Sequence, residues 1–159
     1  MIALVKRTRI SASAECVWRF FRELDERYAD LHPEHLRWHT LRGEPLSEGA
    51  VVFADEWIGP RRLSARLFIC NVEEGRSFSY RIGFPASLVR AGGSFRLSPI
   101  GERECELVEE VHLGFRVPLI GSLVDRVLTF VLPLAELRRH IREEGENLAR
   151  LLGADTEGA

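Results

Sequence analysis

Hydrophobic and polar residues alternate with a period of two along most of the chain between residues 35 and 114, as they do in β-strands. Residues 2–10 show the same alternation at the start of the chain. Turns that contain glycine or proline separate the alternating runs. The pattern predicts a strand at 2–10 and six further strands at 35–41, 50–58, 62–72, 76–83, 93–99 and 104–114.

Three segments have the spacing of amphipathic helices instead. Ser11 or Ser13 can cap a first helix, whose broad apolar face contains Val17, Trp18, Phe20, Phe21 and Leu24. A second short helix is expected over residues 25–31, because a proline follows two residues later. Residues 119–152 predict one long final helix, broken or kinked at Pro133.

The order of these elements indicates an α+β domain. Consecutive strands joined by short turns pair antiparallel, and the apolar face of such a sheet needs a helix to cover it. The element order and the segment Ile10-Ser-Ala-Ser-Ala-Glu-Cys-Val-Trp18 resemble the START-like helix-grip (SRPBCC) superfamily, which includes birch-pollen-type allergens and polyketide cyclases. The resemblance implies a curved antiparallel sheet of six to seven strands wrapped on a long C-terminal helix. One domain would span residues 1–153, followed by a disordered tail at 154–159.

Composition and charge exclude several classes of function. The 159 residues are 45% hydrophobic and 29% charged, as in ordinary globular proteins. A net charge of −2 argues against a nucleic-acid-binding protein. Three scattered cysteines and no secretory signal predict reduced thiols and a cytoplasmic location. The most apolar stretch, 117–137, is interrupted by Asp125 and Arg126, which argues against stable membrane insertion.

The final helix carries one carboxylate on an otherwise aliphatic stripe. The stripe recurs at steps of three and four residues and consists of Leu134, Leu137, Ile141, Glu144, Leu148 and Leu151. A buried carboxylate needs a cation, a proton or a metal ion as its partner. His140 lies four residues earlier and can bind the same ion from the same helix face. A slight rotation of the helix would instead leave Glu144 solvated near Arg142.

Three of the five histidines lie within Leu31-His-Pro-Glu-His-Leu-Arg-Trp-His39. Neutral imidazole is the commonest protein ligand for several transition metals. Strict alternation would place His35, Arg37 and His39 on one side of the following strand, so the three histidines could not all face one cavity. The alternative is a set of surface histidines at a junction between a helix and a strand.

Two further carboxylates are candidates for an inward position. Glu56 shares one face of its strand with three aliphatic residues, whereas Asp55 lies on the face of Phe53 and Trp57. Which carboxylate points inward depends on which face is the core. Glu109 is a second inward candidate on the last strand, with its neighbour Glu110 pointing the opposite way.

Taken together, the His-Pro-x-His segment, a Glu on the next hairpin and the final His-x-x-x-Glu resemble the zinc site of the diacetylphloroglucinol hydrolase family. That resemblance implies zinc as the cofactor, with His32, Glu56, His140 and Glu144 as its ligands. His35 would contact the substrate, or exchange roles with His32. His35 or Tyr28 would donate a proton or hold an oxyanion.

These observations lead to one main hypothesis and two alternatives. The main hypothesis is a metal-dependent hydrolase that cleaves a carbon–carbon bond in a small aromatic or polyketide-like ketone. The alternatives are a binding protein for a hydrophobic ligand or lipid, and a metal-free polyketide cyclase or dehydratase. In each case the partner is a small apolar or aromatic ligand. The sequence leaves open whether the chain forms a homodimer. Strand alternation and the helix stripe predict a cavity lined by Val52, Ala54, Leu67, Phe95 and Leu137.

Overall fold

Seven antiparallel strands and three helices make up the part of the chain that the computed structural model describes, residues 2–83, 89–115 and 134–157. The strands are β1 (Ile2–Ile10), β2 (His35–Arg42), β3 (Val51–Ile58), β4 (Arg61–Glu73), β5 (Ser77–Gly83), β6 (Val89–Gly101) and β7 (Glu104–Phe115). The helices are α1 (Ala14–Arg22), α2 (Leu24–Leu31) and α3 (Leu134–Glu157). The predicted α+β class and the predicted set of strands are therefore confirmed.

The sheet is curved, and its strand order is β1-β7-β6-β5-β4-β3-β2. The chain runs as a meander from β2 to β7, and β7 then pairs with β1. Helix α3 contacts β1 and β3 across the inner face of the sheet, and α2 contacts β2 and α3. One face of the sheet is thus covered by helices, and the space between α3 and the sheet becomes the site described below.

Helix α1 begins as the sequence predicts. The backbone N–H of Cys16 donates to the Oγ of Ser13 at 3.2 Å, so Ser13 is the N-cap. The aromatic side chains of this helix pack edge-on against the sheet, with the rings of Phe21 and Phe78 5.5 Å apart. This contact anchors α1 beside the inner face of β5 and β6.

Strand β2 does not alternate strictly, because it contains a β-bulge at its start. His35 pairs with Glu56 and Arg37 pairs with Asp55, so two residues of β2 oppose one of β3. His35 is buried and Trp38 is half-buried, whereas Arg37 and His39 are exposed. The prediction that His35, Arg37 and His39 share one face is therefore wrong, since the bulge turns only His35 inward.

The last helix extends beyond its predicted C-terminal end. Residues 134–152 are helical as predicted, while the predicted portion at 119–133 lies outside the described residues. The helix continues through Gly153 to Glu157, so the boundary predicted between the domain and a disordered tail at 154–159 lies inside the helix. A single glycine costs a helix only about 1 kcal/mol, which is too little to end it. No described helix is long and apolar enough to cross a membrane.

Gly145 of α3 packs closely against Thr8 of β1, and this contact yields a stability prediction. A Cβ on Gly145 would overlap the Oγ1 of Thr8. We expect Gly145→Ala to destabilise the fold by about 1 to 2 kcal/mol in urea denaturation, because overpacking outweighs the gain in helix propensity. Adding Thr8→Ala is expected to restore most of the loss.

Gly153 in the same helix is the matched control. A Cβ there meets nothing within 4 Å, so Gly153→Ala should stabilise the protein by up to about 1 kcal/mol. An equal gain in stability from both substitutions would contradict the close packing of α3 on β1.

Candidate active site

A cavity of about 140 Å³ lies between α3 and the inner face of the sheet. Its wall is mostly aliphatic and aromatic, and its polar members are Tyr28, Glu56, Tyr80, Glu109, His140 and Glu144. An apolar cavity of about 150 Å³ is known to hold a benzene ring. The cavity described here therefore suits a ligand with one aromatic ring.

Four of the five residues predicted from the sequence line this cavity: Ala54, Leu67, Phe95 and Leu137. Val52 does not. It is 1% exposed and packs with Ala50 and Ile69 in an adjoining cluster of the core. Alternation identified the inward face of β3 but not where along that face the cavity ends.

Two histidines and a glutamate form a polar cluster at the cavity, and of the three Glu56 and His140 line its wall. Nε2 of His35 and Nε2 of His140 are 3.1 Å apart. Oε2 of Glu56 lies 3.5 Å from the first of these atoms and 3.7 Å from the second. The Tyr28 hydroxyl donates to the same oxygen at 2.7 Å, and its ring stacks on His35 with the centroids 3.9 Å apart. We call His35, Glu56 and His140 the His/Glu cluster.

The hydrogen bond that each ring forms through its Nδ1 determines which of its nitrogens carries the proton. Nδ1 of His35 lies 3.1 Å from the backbone carbonyl of Tyr28, and a carbonyl can only accept. Nδ1 of His140 lies 3.0 Å from Oε2 of Glu34. Burial favours a raised pKa for Glu34, but hydrogen bonding to His140 and nearby positive charge lower it, so this carboxylate accepts. Both rings therefore hold their proton on Nδ1 and point an unprotonated Nε2 at each other.

Neither ring gains a second proton readily at neutral pH. Burial, and then the neighbouring His140, lowers the pKa of His35 to about 3. Burial also lowers the pKa of His140. Two neutral rings whose lone pairs face each other at this distance cannot hydrogen-bond to each other, and a cation bound by both nitrogens would make the arrangement favourable.

His32 occupies a different position from the one predicted. Its Nδ1 accepts the backbone N–H of Glu34 at 3.0 Å, and its Nε2 lies 3.1 Å from Oε2 of Glu143. Its one lone pair is therefore used inside the turn, and its ring packs against His140 with the centroids 4.2 Å apart. The structure places His35, not His32, beside Glu56 and His140, which is the exchange that the sequence analysis left open.

Glu144 faces the same cavity but lies outside the His/Glu cluster. Within the described part of the chain, two groups of three side chains are close enough to share one ion: His35, Glu56 and His140, and His32, Glu34 and His140. Neither group includes Glu144. Of the four ligands that the family resemblance implied, Glu56 and His140 share the first group, His32 and His140 share the second, and no group holds more than two of them.

The sequence analysis did not identify Glu34, which orients His140 and also pairs with Arg139 at 3.1 Å. Its position between His32 and His35 was the available signal, since a carboxylate within a histidine segment is a common partner for imidazole.

Asp55 points away from the cavity, because it lies on the opposite face of β3 from Glu56. There it accepts two hydrogen bonds from Arg62 and one from Ser64.

Comparison with known proteins identifies the fold. No protein-family model matches the chain, and no curated protein sequence matches it. A START superfamily protein from Mycobacterium smegmatis matches 92% of this chain and 98% of its own, with a TM-score of 0.63 and 16% identity. The Zhui aromatase/cyclase from Streptomyces sp. R1128 matches 96% of this chain and 93% of its own, with a TM-score of 0.74 and 16% identity.

The chain has the helix-grip fold. Norcoclaurine synthase from Thalictrum flavum, solved in complex with dopamine and hydroxybenzaldehyde, matches 94% of this chain and 85% of its own, with a TM-score of 0.61 and 14% identity. Identities of this size show a shared helix-grip fold and leave the activity to be argued from the site itself.

The helix-grip cavity also contains a pair of buried acids. Glu109 on β7 is 4% exposed, and burial followed by the charge of Glu56 raises its pKa to about 8. Burial, then Glu109 and Glu56, raises the pKa of Glu144 well above its usual range. At neutral pH both side chains therefore favour the protonated, uncharged form.

Proposed function

We propose that this protein is an enzyme that binds a small aromatic or polyketide-like ketone in its cavity. It would act on the carbonyl group with a divalent metal ion, for which zinc is the first candidate. The observation that carries the proposal is the pair of facing, unprotonated Nε2 atoms of His35 and His140 with Glu56 beside them. A metal ion is the cation that best fits two imidazoles and a carboxylate.

The donor set and its surroundings fit zinc. Catalytic zinc sites commonly have three protein ligands of the imidazole and carboxylate type and one open position. Histidine ligands usually donate their other N–H to a carbonyl or carboxylate, as His35 does to Tyr28 and His140 to Glu34. Burial of the cluster next to an apolar cavity leaves room for a ligand on one side.

A bound metal would supply Lewis acidity toward a carbonyl oxygen and would make a bound water more acidic. The chain's own residues supply position and protons. The apolar wall holds the ring of the ketone and excludes water, and the Tyr28 hydroxyl lies next to Glu56 at the polar end. Burial raises the pKa of Tyr28 well above its usual value, so the phenol stays protonated and can donate to a ligand oxygen.

Hydrolysis of a carbon–carbon bond is the proposed reaction. Water oxygen bonds to the carbonyl carbon, the bond between that carbon and the ring breaks, and the ring carbon takes a proton. The products are a carboxylic acid and the aromatic compound without its acyl group. Tyr28 is the candidate proton donor, because its hydroxyl lies beside the polar cluster and inside the cavity wall.

A metal-free function is the second candidate, and the comparisons favour it. The neighbours named above include an aromatase/cyclase and a synthase solved with two small aromatic molecules. In a metal-free cyclase or dehydratase the same histidines would share a proton and act as acid and base. In a non-catalytic binding protein the cavity alone would be used.

Metal content and turnover separate these candidates. We expect chelator-treated protein to bind one zinc ion per chain in a calorimetric titration, and a panel of aryl ketones and diketones to be cleaved only after zinc is restored. Turnover that is equal with and without zinc would replace the metal proposal with the cyclase or dehydratase. Binding of ketones without any turnover would replace it with the binding protein.

A further inference from the structure

The face of the sheet that points away from the cavity exposes large apolar side chains on β2, β3 and β4. In the described part of the chain six large apolar side chains are markedly exposed, and four of them lie on these three strands: Leu36, Leu41, Trp57 and Phe68. Trp57 and Phe68 each follow directly after a residue that lines the cavity, so they point to the opposite, outer face. Leu41 lies beside Phe68 in a shallow groove on that face.

Arginine side chains surround these apolar groups. One row across four neighbouring strands consists of Arg42, Val51, Phe68 and Arg81. Arg66 points outward from the next row, two residues away along β4. No carboxylate of the described residues forms an ion pair with Arg42, Arg66 or Arg81. We call six side chains the outer patch: Leu41, Arg42, Trp57, Arg66, Phe68 and Arg81.

The charge of the outer patch is not neutralised by its surroundings. The four outward-facing rows from Phe68 to Trp57 contain one carboxylate among the described residues, Asp55. It is 6% exposed and already accepts hydrogen bonds from Arg62 and Ser64. At the far edge of the same face, the arginines of β1 are paired with glutamates of β7. The outer patch is therefore locally positive, although the chain has a net charge of −2.

The dimensions of the outer patch fit an extended anionic surface. Arg42 and Arg81 are three strand spacings apart, or about 14 Å. The row of Phe68 and the row of Trp57 are six residues apart along β3, or about 20 Å. An acidic protein would need carboxylates at matching separations over this area. A bilayer with anionic lipids presents phosphates wherever an arginine lies, and it also accepts apolar side chains between them.

We propose that the outer patch attaches the protein peripherally to a bilayer that contains anionic lipids. Guanidinium groups bind phosphate through paired hydrogen bonds, and tryptophan and other apolar side chains are favoured at the depth of the lipid headgroups. The helices and the cavity lie on the other face of the sheet, so they would remain on the side of the aqueous phase. The proposal goes beyond the proposed function, because attachment requires neither a metal ion nor a ketone.

The test is sedimentation of the protein with vesicles of phosphatidylcholine alone and of phosphatidylcholine and phosphatidylglycerol in equal parts. We expect the partition coefficient to be at least about tenfold higher for the anionic vesicles and to fall as salt is added. Each arginine near an anionic bilayer contributes about fivefold, so Arg66→Gln with Arg81→Gln should lower the coefficient about 10- to 30-fold. Phe68→Ser should lower it about threefold and leave the salt dependence unchanged.

Arg7→Gln with Arg9→Gln is the matched control. It removes the same charge from exposed side chains of β1 on the same face, outside the outer patch, and should have a much smaller effect. Equal partition into both kinds of vesicle, no partition into either, or an equal loss in the control pair would overturn the proposal. A soluble polyglutamate peptide tests the alternative partner. If it binds through Arg66 and Arg81 while anionic vesicles do not bind, the outer patch docks an acidic protein instead.

Discussion

Replacing His140 by alanine is expected to lower the affinity of the protein for zinc by more than about 100-fold and to reduce ketone turnover to the level of chelated protein. Loss of an outer-shell partner alone typically costs 10- to 100-fold in metal affinity, and loss of a ligand costs more. Only His35 and Glu56 would remain in the His/Glu cluster. Titration against a competing chelator measures the change directly.

Three matched variants make this result specific. His39→Ala removes a histidine whose side chain is 63% exposed, and it should leave zinc affinity unchanged. Glu34→Gln weakens the partner that orients His140, so an intermediate loss of about 10- to 100-fold is expected. Glu144→Gln should retain zinc, because Glu144 lies outside the cluster. If Glu144→Gln loses zinc as completely as His140→Ala, Glu144 is a ligand, as the family resemblance implied, and the ligand set argued from the structure is wrong.

Replacing Glu109 by glutamine is expected to stabilise the protein at about pH 8 by roughly 2 kcal/mol or more, and by less at about pH 5. The pKa of Glu109 rises from 4.5 to about 8 on folding, through burial and then the charge of Glu56. The folded state therefore holds this proton more tightly than the unfolded state. The associated stability is present below about pH 4.5 and is lost as the pH rises through about 8. Glutamine does not titrate and escapes this loss.

Groups that face Glu109 affect the pH range over which the stability of the protein changes. Glu144 and Glu56 share the cavity with it, and Lys6 lies beside it on β1, so the acids titrate as a coupled set. His35 acts in a separate range: its pKa of about 3 lies below the usual 6.5, so stability is lost as the pH falls from about 6.5 toward 3. Glu109→Gln should not alter this loss of stability at acid pH.

Urea denaturation at several pH values between about 5 and 9 provides the measurement. The control is Glu110→Gln, which removes an acid from the outer face of the same strand and should show the pH dependence of the wild type. A difference between wild type and Glu109→Gln that stays constant across this range would mean that Glu109 is not the buried acid that titrates. A stabilising substitution in a cavity is consistent with a residue that serves binding and not folding.

Much of the fold could be predicted from the sequence, because the signals are local. A period of two in the strands and steps of three and four in the helices follow from backbone geometry within each segment. For this reason the predicted strands match the observed ones within a few residues, and Ser13 caps α1. Glu56 and Glu109 face inward, as they would if the aliphatic face of their strands is the core.

The arrangement of the site depended on the tertiary structure. A one-residue bulge on β2 decides that His35, and neither Arg37 nor His39, is buried beside Glu56 and His140. Alternation alone gives no sign of that bulge, because the extra residue is visible only against the partner strand.

The chemistry of the histidines was decided by contacts between residues that are distant in the sequence. His140 is oriented by Glu34, 106 residues away, and this bond decides which of its nitrogens is free. His32 loses its lone pair to a backbone N–H that only the folded turn brings within reach. Glu109 and Glu144 affect each other's protonation only because the fold brings α3 and β7 to the same cavity. The sequence by itself identified most of the candidate site residues, Glu34 excepted, and the tertiary structure decided which of them meet, because side-chain proximity and proton positions depend on packing between elements.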